Sequence, residues 1–115
     1  MNTVTIWHNP RCSKSRNALE LLKEKGIKPK VIKYLDTPPN KEEIMEVLAM
    51  LDIEPILLMR TKEDIYKEMG LKDIHDNEIL INAMVSHPKL IERPIVIKDG
   101  KAAIGRPIEN TIEIL

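Results

Sequence analysis

Apolar positions along the chain change their period several times, and each change marks an element. Thr3-Val4-Thr5-Ile6-Trp7 is β-prone and breaks at His8-Asn9-Pro10, which predicts a strand over 3–7 running into a loop. From Ser13 the pattern turns helical: Ala18, Leu19 and Leu22 stand three and four positions apart, and Gly26 is placed to end a helix over 13–25. Lys30 to Leu35 reads as a second strand, and a helical crossover between two strands implies a parallel, right-handed βαβ unit. Thr37-Pro38-Pro39 stops that strand. Asn40 with Glu43 three residues on has the form of a capping box ahead of Ile44, Val47, Leu48 and Leu51, predicting a helix over 41–51. Two further helical stretches follow, 63–69 closed by Gly70 and 77–86 opened by Asp76 and stopped before Pro88. Residues 94–98 and 101–104 flank Asp99-Gly100, a two-residue turn suited to a type I′ hairpin, and 108–115 reads as a final short helix. The order β-α-β, a helical insert over about 40–90, then β-β-α predicts one α/β domain over 1–115, with a mixed four-stranded sheet flanked by helices.

Composition narrows the classes of function. The 115 residues carry 18 Lys+Arg against 18 Asp+Glu, so no excess charge is available to neutralise a phosphate backbone, and no nucleic-acid partner is expected. Phe is absent and only three aromatic residues remain (one Trp, two Tyr), which removes the stacking platform a single-strand binder would use and leaves an aliphatic core. No apolar run approaches the ~18–20 residues of a membrane span, and Met1-Asn2-Thr3-Val4 has no basic segment before an apolar one. No membrane partner and a cytoplasmic location are therefore expected. The four glycines are too dispersed for a phosphate-binding loop. His75 and His87 have no other ligand in register, so no metal site is expected. Met45, Met50, Met59, Met69 and Met84 are expected to pack in the insert.

Cys12 is the only cysteine of the chain. It excludes an internal disulfide, and any redox cycle must borrow a second thiol. Its place between a strand and a helix aims unpaired N–H groups and the helix dipole at the sulfur, favouring thiolate over thiol. His8, Arg11, Lys14 and Arg16 add positive character, and Ser13 and Ser15 are potential hydrogen-bond donors. These features suit attack on an oxyanion; the alternative for a lone cysteine is a buried, inert hydrophobe.

Trp7-His8-Asn9-Pro10-Arg11-Cys12-Ser13-Lys14-Ser15-Arg16-Asn17, with Tyr34-Leu35, Pro38-Pro39, Arg60, Arg93-Pro94-Ile95-Val96 and Gly105-Arg106-Pro107, resembles the glutaredoxin-coupled arsenate reductases over nearly the whole chain. The resemblance implies a thioredoxin-like fold, in agreement with the element order. It implies that Cys12 attacks arsenate to form a covalent thiol–arsenate adduct, that glutathione and glutaredoxin resolve the adduct, and that no cofactor is bound, glutathione being a co-substrate. It further implies that Arg60, Arg93 and Arg106 hold the oxyanion, that His8 and Ser15 help lower the cysteine pKa, and that Pro94 is the cis-proline opposite the cysteine. Guanidinium suits these roles because its planar fork binds tetrahedral oxyanions at two points. Two alternatives remain open: an RNA polymerase-binding regulator similar to the Spx-type proteins, whose CxxC switch is Cys12-Ser13-Lys14-Ser15 here, and a glutathione-dependent thiol reductase acting on another substrate.

Overall fold

The structure, a computed structural model, describes residues 3–115. Met1 and Asn2, part of the leader-free reading, lie outside the described residues. The chain forms two compact units, one from the segment through Thr37 together with Arg93–Leu115, the other from Pro38–Glu92.

The first unit holds the sheet. Strands β1 (Val4–Trp7), β2 (Lys30–Ile32), β3 (Ile95–Lys98) and β4 (Lys101–Ile104) lie in the order β2-β1-β3-β4. β1 pairs parallel with β2 and antiparallel with β3, and β3 pairs antiparallel with β4. Helix α1 (Ser13–Glu24) links the parallel pair, and α5 (Glu109–Ile112) follows β4. A βαβ unit joined to a ββα unit through one mixed sheet is the thioredoxin-like arrangement. Alternation dictates the faces: Val4, Ile6 and the registered Val96 pack with Ala18 and Leu22 of α1, while Ile27, Ile108 and Leu115 close the edge. α1 ends as its glycine requires, with Gly26 at φ 76° donating to Lys23 O at 2.9 Å and Ile27 N to Leu22 O at 2.9 Å. In the hairpin both Asp99 (φ 52°) and Gly100 (φ 77°) are left-handed, as a type I′ turn demands. Leu22 is fully buried, so Leu22→Ala is expected to cost about 2–5 kcal/mol of unfolding free energy, measurable by urea denaturation.

β2 is shorter than the predicted 30–35. After Ile32 the chain folds into a turn in which Asp36 N and Thr37 N both donate to Lys33 O at 2.9 Å, so Lys33 to Leu35 leave the ladder. The C-terminal helix is likewise a single turn, Glu109–Ile112.

The second unit is helical: α2 (Lys41–Leu51), α3 (Asp64–Glu68) and α4 (Asn77–Ser86), with 3₁₀ turns at Pro55–Leu58, Leu71–Asp73 and Pro88–Leu90. The capping box forms, Asn40 Oδ1 accepting from Glu43 N at 2.8 Å and Glu43 Oε1 from Asn40 N at 3.1 Å. An antiparallel bridge between Met59 and Ile91 is closed by Arg60 N to Leu90 O and Glu92 N to Leu58 O, both 2.7 Å. The expected packing of the methionines holds for Met59 and Met84, which are buried; Met45 and Met69 are exposed. Met45 lies off the Ile44–Val47–Leu48 face of α2, and Met69 stands past the last turn of α3.

Candidate active site

β1 delivers His8 to the end of the sheet, where its N–H continues the parallel ladder by donating to Ile32 O at 2.8 Å. The chain then turns through Pro10 and Arg11, closed by Cys12 N donating to Asn9 O at 3.0 Å, and Cys12 becomes the N-terminal residue flanking α1. Cys12 makes no side-chain cap, so its sulfur is left to face the first-turn N–H groups. The residue is only 8% exposed.

Two arginines, from the segment before β3 and the segment after β4, meet this sulfur. Arg106 Nη2 donates to Cys12 Sγ at 3.4 Å across 94 positions of sequence. The same guanidinium donates through Nε to Arg93 O at 2.7 Å, which fixes its direction. The Arg93 guanidinium also hydrogen-bonds the sulfur. The Arg93–Pro94 peptide bond is cis, and Gly105 N donates to Pro94 O at 2.8 Å. A side chain at Gly105 has no room, since its Cβ would fall 2.7 Å from Pro94 Cγ.

Burial pushes the Cys12 thiol up, but the Ser15 N–H, the Arg93 guanidinium and the Lys14 N–H outweigh it and hold the group below its ordinary value. The loop thus contributes its main chain, and the guanidinium charge comes from segments distant in sequence that flank the β3–β4 hairpin; Arg11 and Lys14 are exposed. Arg16 braces the turn instead, Nη1 donating to Pro10 O at 2.9 Å. Ser15 is fully buried. Its hydroxyl accepts from Asn9 N at 3.0 Å and lies 2.7 Å from His8 Nδ1. His8 is held below its ordinary pKa by burial and by the charges of Lys33, Lys23 and Arg16, so it is neutral at pH 7 and works as a hydrogen-bonding brace. Asn9 was not singled out by sequence, yet it accepts from Arg11 N through Oδ1 at 3.0 Å and so locks the same turn; an Asn before Pro at a strand end is the signal that would have found it.

Of the predicted site residues, Cys12, His8, Ser15, Arg93, Pro94 and Arg106 converge in the sheet unit. Arg60 belongs to the helical unit, where Nε meets Glu63 Oε1 at 3.1 Å and Nη1 meets Glu92 Oε1 at 3.2 Å. His75 is exposed ahead of the Asp76 cap, and His87 is half-buried at the end of α4.

Because the Cys12 thiol is held below its ordinary value, its protonation is linked to stability. The native thiolate adds stability that is fully present above the unfolded thiol's ~8.5 and is lost as pH falls through the native value. His8 acts in the same direction lower down: unfolded chain binds a proton near pH 6.5 while the native imidazole stays neutral to a lower pH, so stability falls with pH across that interval. Iodoacetamide alkylation of Cys12 is expected to show its inflection below that of an unstructured cysteine peptide, and Arg93→Ala is expected to move it up. An inflection at or above the peptide's would contradict the arrangement.

Comparison with known proteins bears on this site. The sequence profile of the ArsC family matches residues 7–114. A Neisseria meningitidis protein named arsenate reductase is 50% identical over 117 residues, covering 100% of both chains. An Escherichia coli K12 protein named "Uncharacterized protein YfgD" is 53% identical, covering 97% of this chain and 96% of its own. A solved structure titled arsenate reductase from Vibrio cholerae superposes with a TM-score of 0.96 at 50% identity, covering 98% of each chain.

Proposed function

The chain belongs to the ArsC family, and on that premise we propose that it is an arsenate reductase driven by glutathione and glutaredoxin, with Cys12 as the nucleophile. The observation that carries this reading is the meeting of Cys12 Sγ with Arg106 Nη2 at 3.4 Å and with the Arg93 guanidinium at a helix N-terminus. A thiolate and two guanidinium groups at one point suit the attack of sulfur on a tetrahedral dianion. The arginines offset the charge that would otherwise repel the nucleophile, and their forked N–H donors orient the oxygens.

The first step forms an S–As bond and expels one arsenate oxygen as water, taking up protons. Reduction from arsenate to arsenite then delivers two electrons to arsenic. Cys12 is the only cysteine, so both electrons come from external thiols: glutathione displaces a second arsenate oxygen as water to form an As–S bond, the glutaredoxin thiolate attacks the glutathionyl sulfur to give a mixed disulfide while the As–S electron pair stays on arsenic, and water then cleaves the Cys12 S–As bond, releasing arsenite and returning Cys12 to thiolate. The cycle requires no bound cofactor and suits a reducing cytoplasm. No described helix is long and apolar enough to cross a membrane. His8 and Ser15 act as positioning residues that hold the turn and the Ser15 N–H against the sulfur. Arg60 is retained as a third oxyanion ligand on the sequence resemblance alone.

The test is arsenite production by purified protein with arsenate, glutathione, glutaredoxin and an NADPH-driven recycling system, each omitted in turn. Arsenite is expected only in the complete mixture. Undiminished product without glutathione or glutaredoxin would overturn the coupling, and none from folded protein in the complete mixture would overturn the arsenate reading.

A further inference from the structure

The turn that presents Cys12 has a second side. Residues 8–11 face Lys33, Leu35 and Asp36 across a cleft of about 400 Å³, within the ~300–1,000 Å³ of small-ligand sites. Both walls are preformed. One is the turn closed by Cys12 N to Asn9 O at 3.0 Å and by Arg11 N to Asn9 Oδ1 at 3.0 Å; the other is closed by Asp36 N and Thr37 N, each 2.9 Å from Lys33 O. Little ordering is left for a ligand to supply.

The lining has a definite charge pattern. Arg11 and Lys33 are cations, Asp36 is an anion, and Pro10 and Leu35 are apolar. All three charged side chains are exposed, and among the described residues none of them takes part in an ion pair. Lys33 stands near enough to His8 for its charge to act on the imidazole, and both residues line the cleft. The guanidinium groups on the Cys12 sulfur come from Arg93 and Arg106, neither of which lines this cleft. The molecule therefore has one set of cations for the oxyanion and a second set beside it.

A ligand matching two cations, one anion and an apolar wall carries two carboxylates, one ammonium and a short aliphatic stem. Glutathione has that composition, with its thiol between the charged ends. We propose that this cleft is the glutathione seat, with Arg11 and Lys33 binding the two carboxylates, Asp36 the α-ammonium, and Pro10 and Leu35 the stem. The choice of glutathione rests on the function proposed above. The cleft and Cys12 share the Asn9–Arg11 turn, and neither arginine of the oxyanion clamp lines the cleft, so a ligand seated there need not displace the clamp.

S-Methylglutathione, which forms neither an S–As nor an S–S bond, reads the seat without the chemistry. Titrated into ¹⁵N-labelled protein, it is expected to shift the amides of Asn9, Arg11 and Lys33 to Asp36, and Lys33→Glu and Asp36→Lys are each expected to weaken binding about tenfold. In turnover, Lys33→Glu is expected to raise KM for glutathione by a similar factor. Absence of binding, shifts confined elsewhere, or unchanged affinity in both variants would overturn the proposal. Binding of the analogue at the cleft by a protein that forms no arsenite would overturn the arsenate reading while sustaining the seat.

Discussion

Replacing Cys12 by serine is expected to reduce arsenite formation to the rate of glutathione and glutaredoxin without the protein, while changing unfolding free energy by no more than about 1 kcal/mol. The size of the effect follows from chemistry at one atom. The Ser15 and Lys14 N–H groups and the Arg93 guanidinium lower a thiol that burial alone would raise, and their combined effect favours the thiolate. The same surroundings acting on a hydroxyl start from a pKa far too high to give an alkoxide, and oxygen forms no S–As bond for glutathione to attack. Serine fits the space of Cys12, whose main-chain hydrogen bonds to Asn9 and Arg16 do not involve the sulfur. Steady-state arsenite formation and urea denaturation of the same preparation separate lost chemistry from lost fold. Residual turnover well above the protein-free mixture would place the nucleophile elsewhere.

Arg93→Ala is expected to lower kcat/KM for arsenate by about 10²–10³-fold, the usual cost of removing one aimed donor from a developing charge. Two losses combine. The thiolate fraction falls because Arg93 supplies both a hydrogen bond and a charge to the sulfur, and the oxyanion loses one of its forks. The change is clean because Arg106 is positioned by the Arg93 carbonyl, 2.7 Å from Arg106 Nε, and alanine keeps that carbonyl. Arg93→Lys retains the charge without the planar fork and is expected to recover only part of the activity. Measuring kcat/KM at a pH where both proteins are fully thiolate isolates the oxyanion contribution; equal values there would confine Arg93 to tuning the cysteine.

The elements whose determinants are local were legible. β1, α1, α2 and α4 follow from period and caps, and Asn40 with Glu43 and Asp99 with Gly100 form the contacts their residue types dictate. The three 3₁₀ turns were missed because a run such as Pro55–Leu58 is too short to show a period. β2 was overextended because Tyr34 and Leu35 are as β-prone as the strand before them, and only the turn closed on Lys33 O removes them. At the site, the placement of Cys12 at a helix start was readable from Pro10 through Ser13. The origin of its positive surroundings was not legible from local pattern, which pointed to the neighbouring cations; only the family resemblance named Arg93 and Arg106, and contacts spanning the length of the chain bring Arg106 to the sulfur. Residue types in a loop reveal which main-chain donors it will offer; which distant charge arrives there depends on sheet order.

Mass spectrometry of the quenched protein, intact and after proteolysis, tests the central claim most directly. With arsenate present and glutaredoxin withheld, the wild-type chain is expected to gain the mass of an arsenic oxyacid, alone or with one glutathionyl group, on the peptide that contains Cys12. Cys12→Ser is expected to show no gain. An unmodified wild-type chain, from a preparation that forms arsenite once glutaredoxin is restored, or the same adduct on Cys12→Ser, would contradict attack by this thiolate.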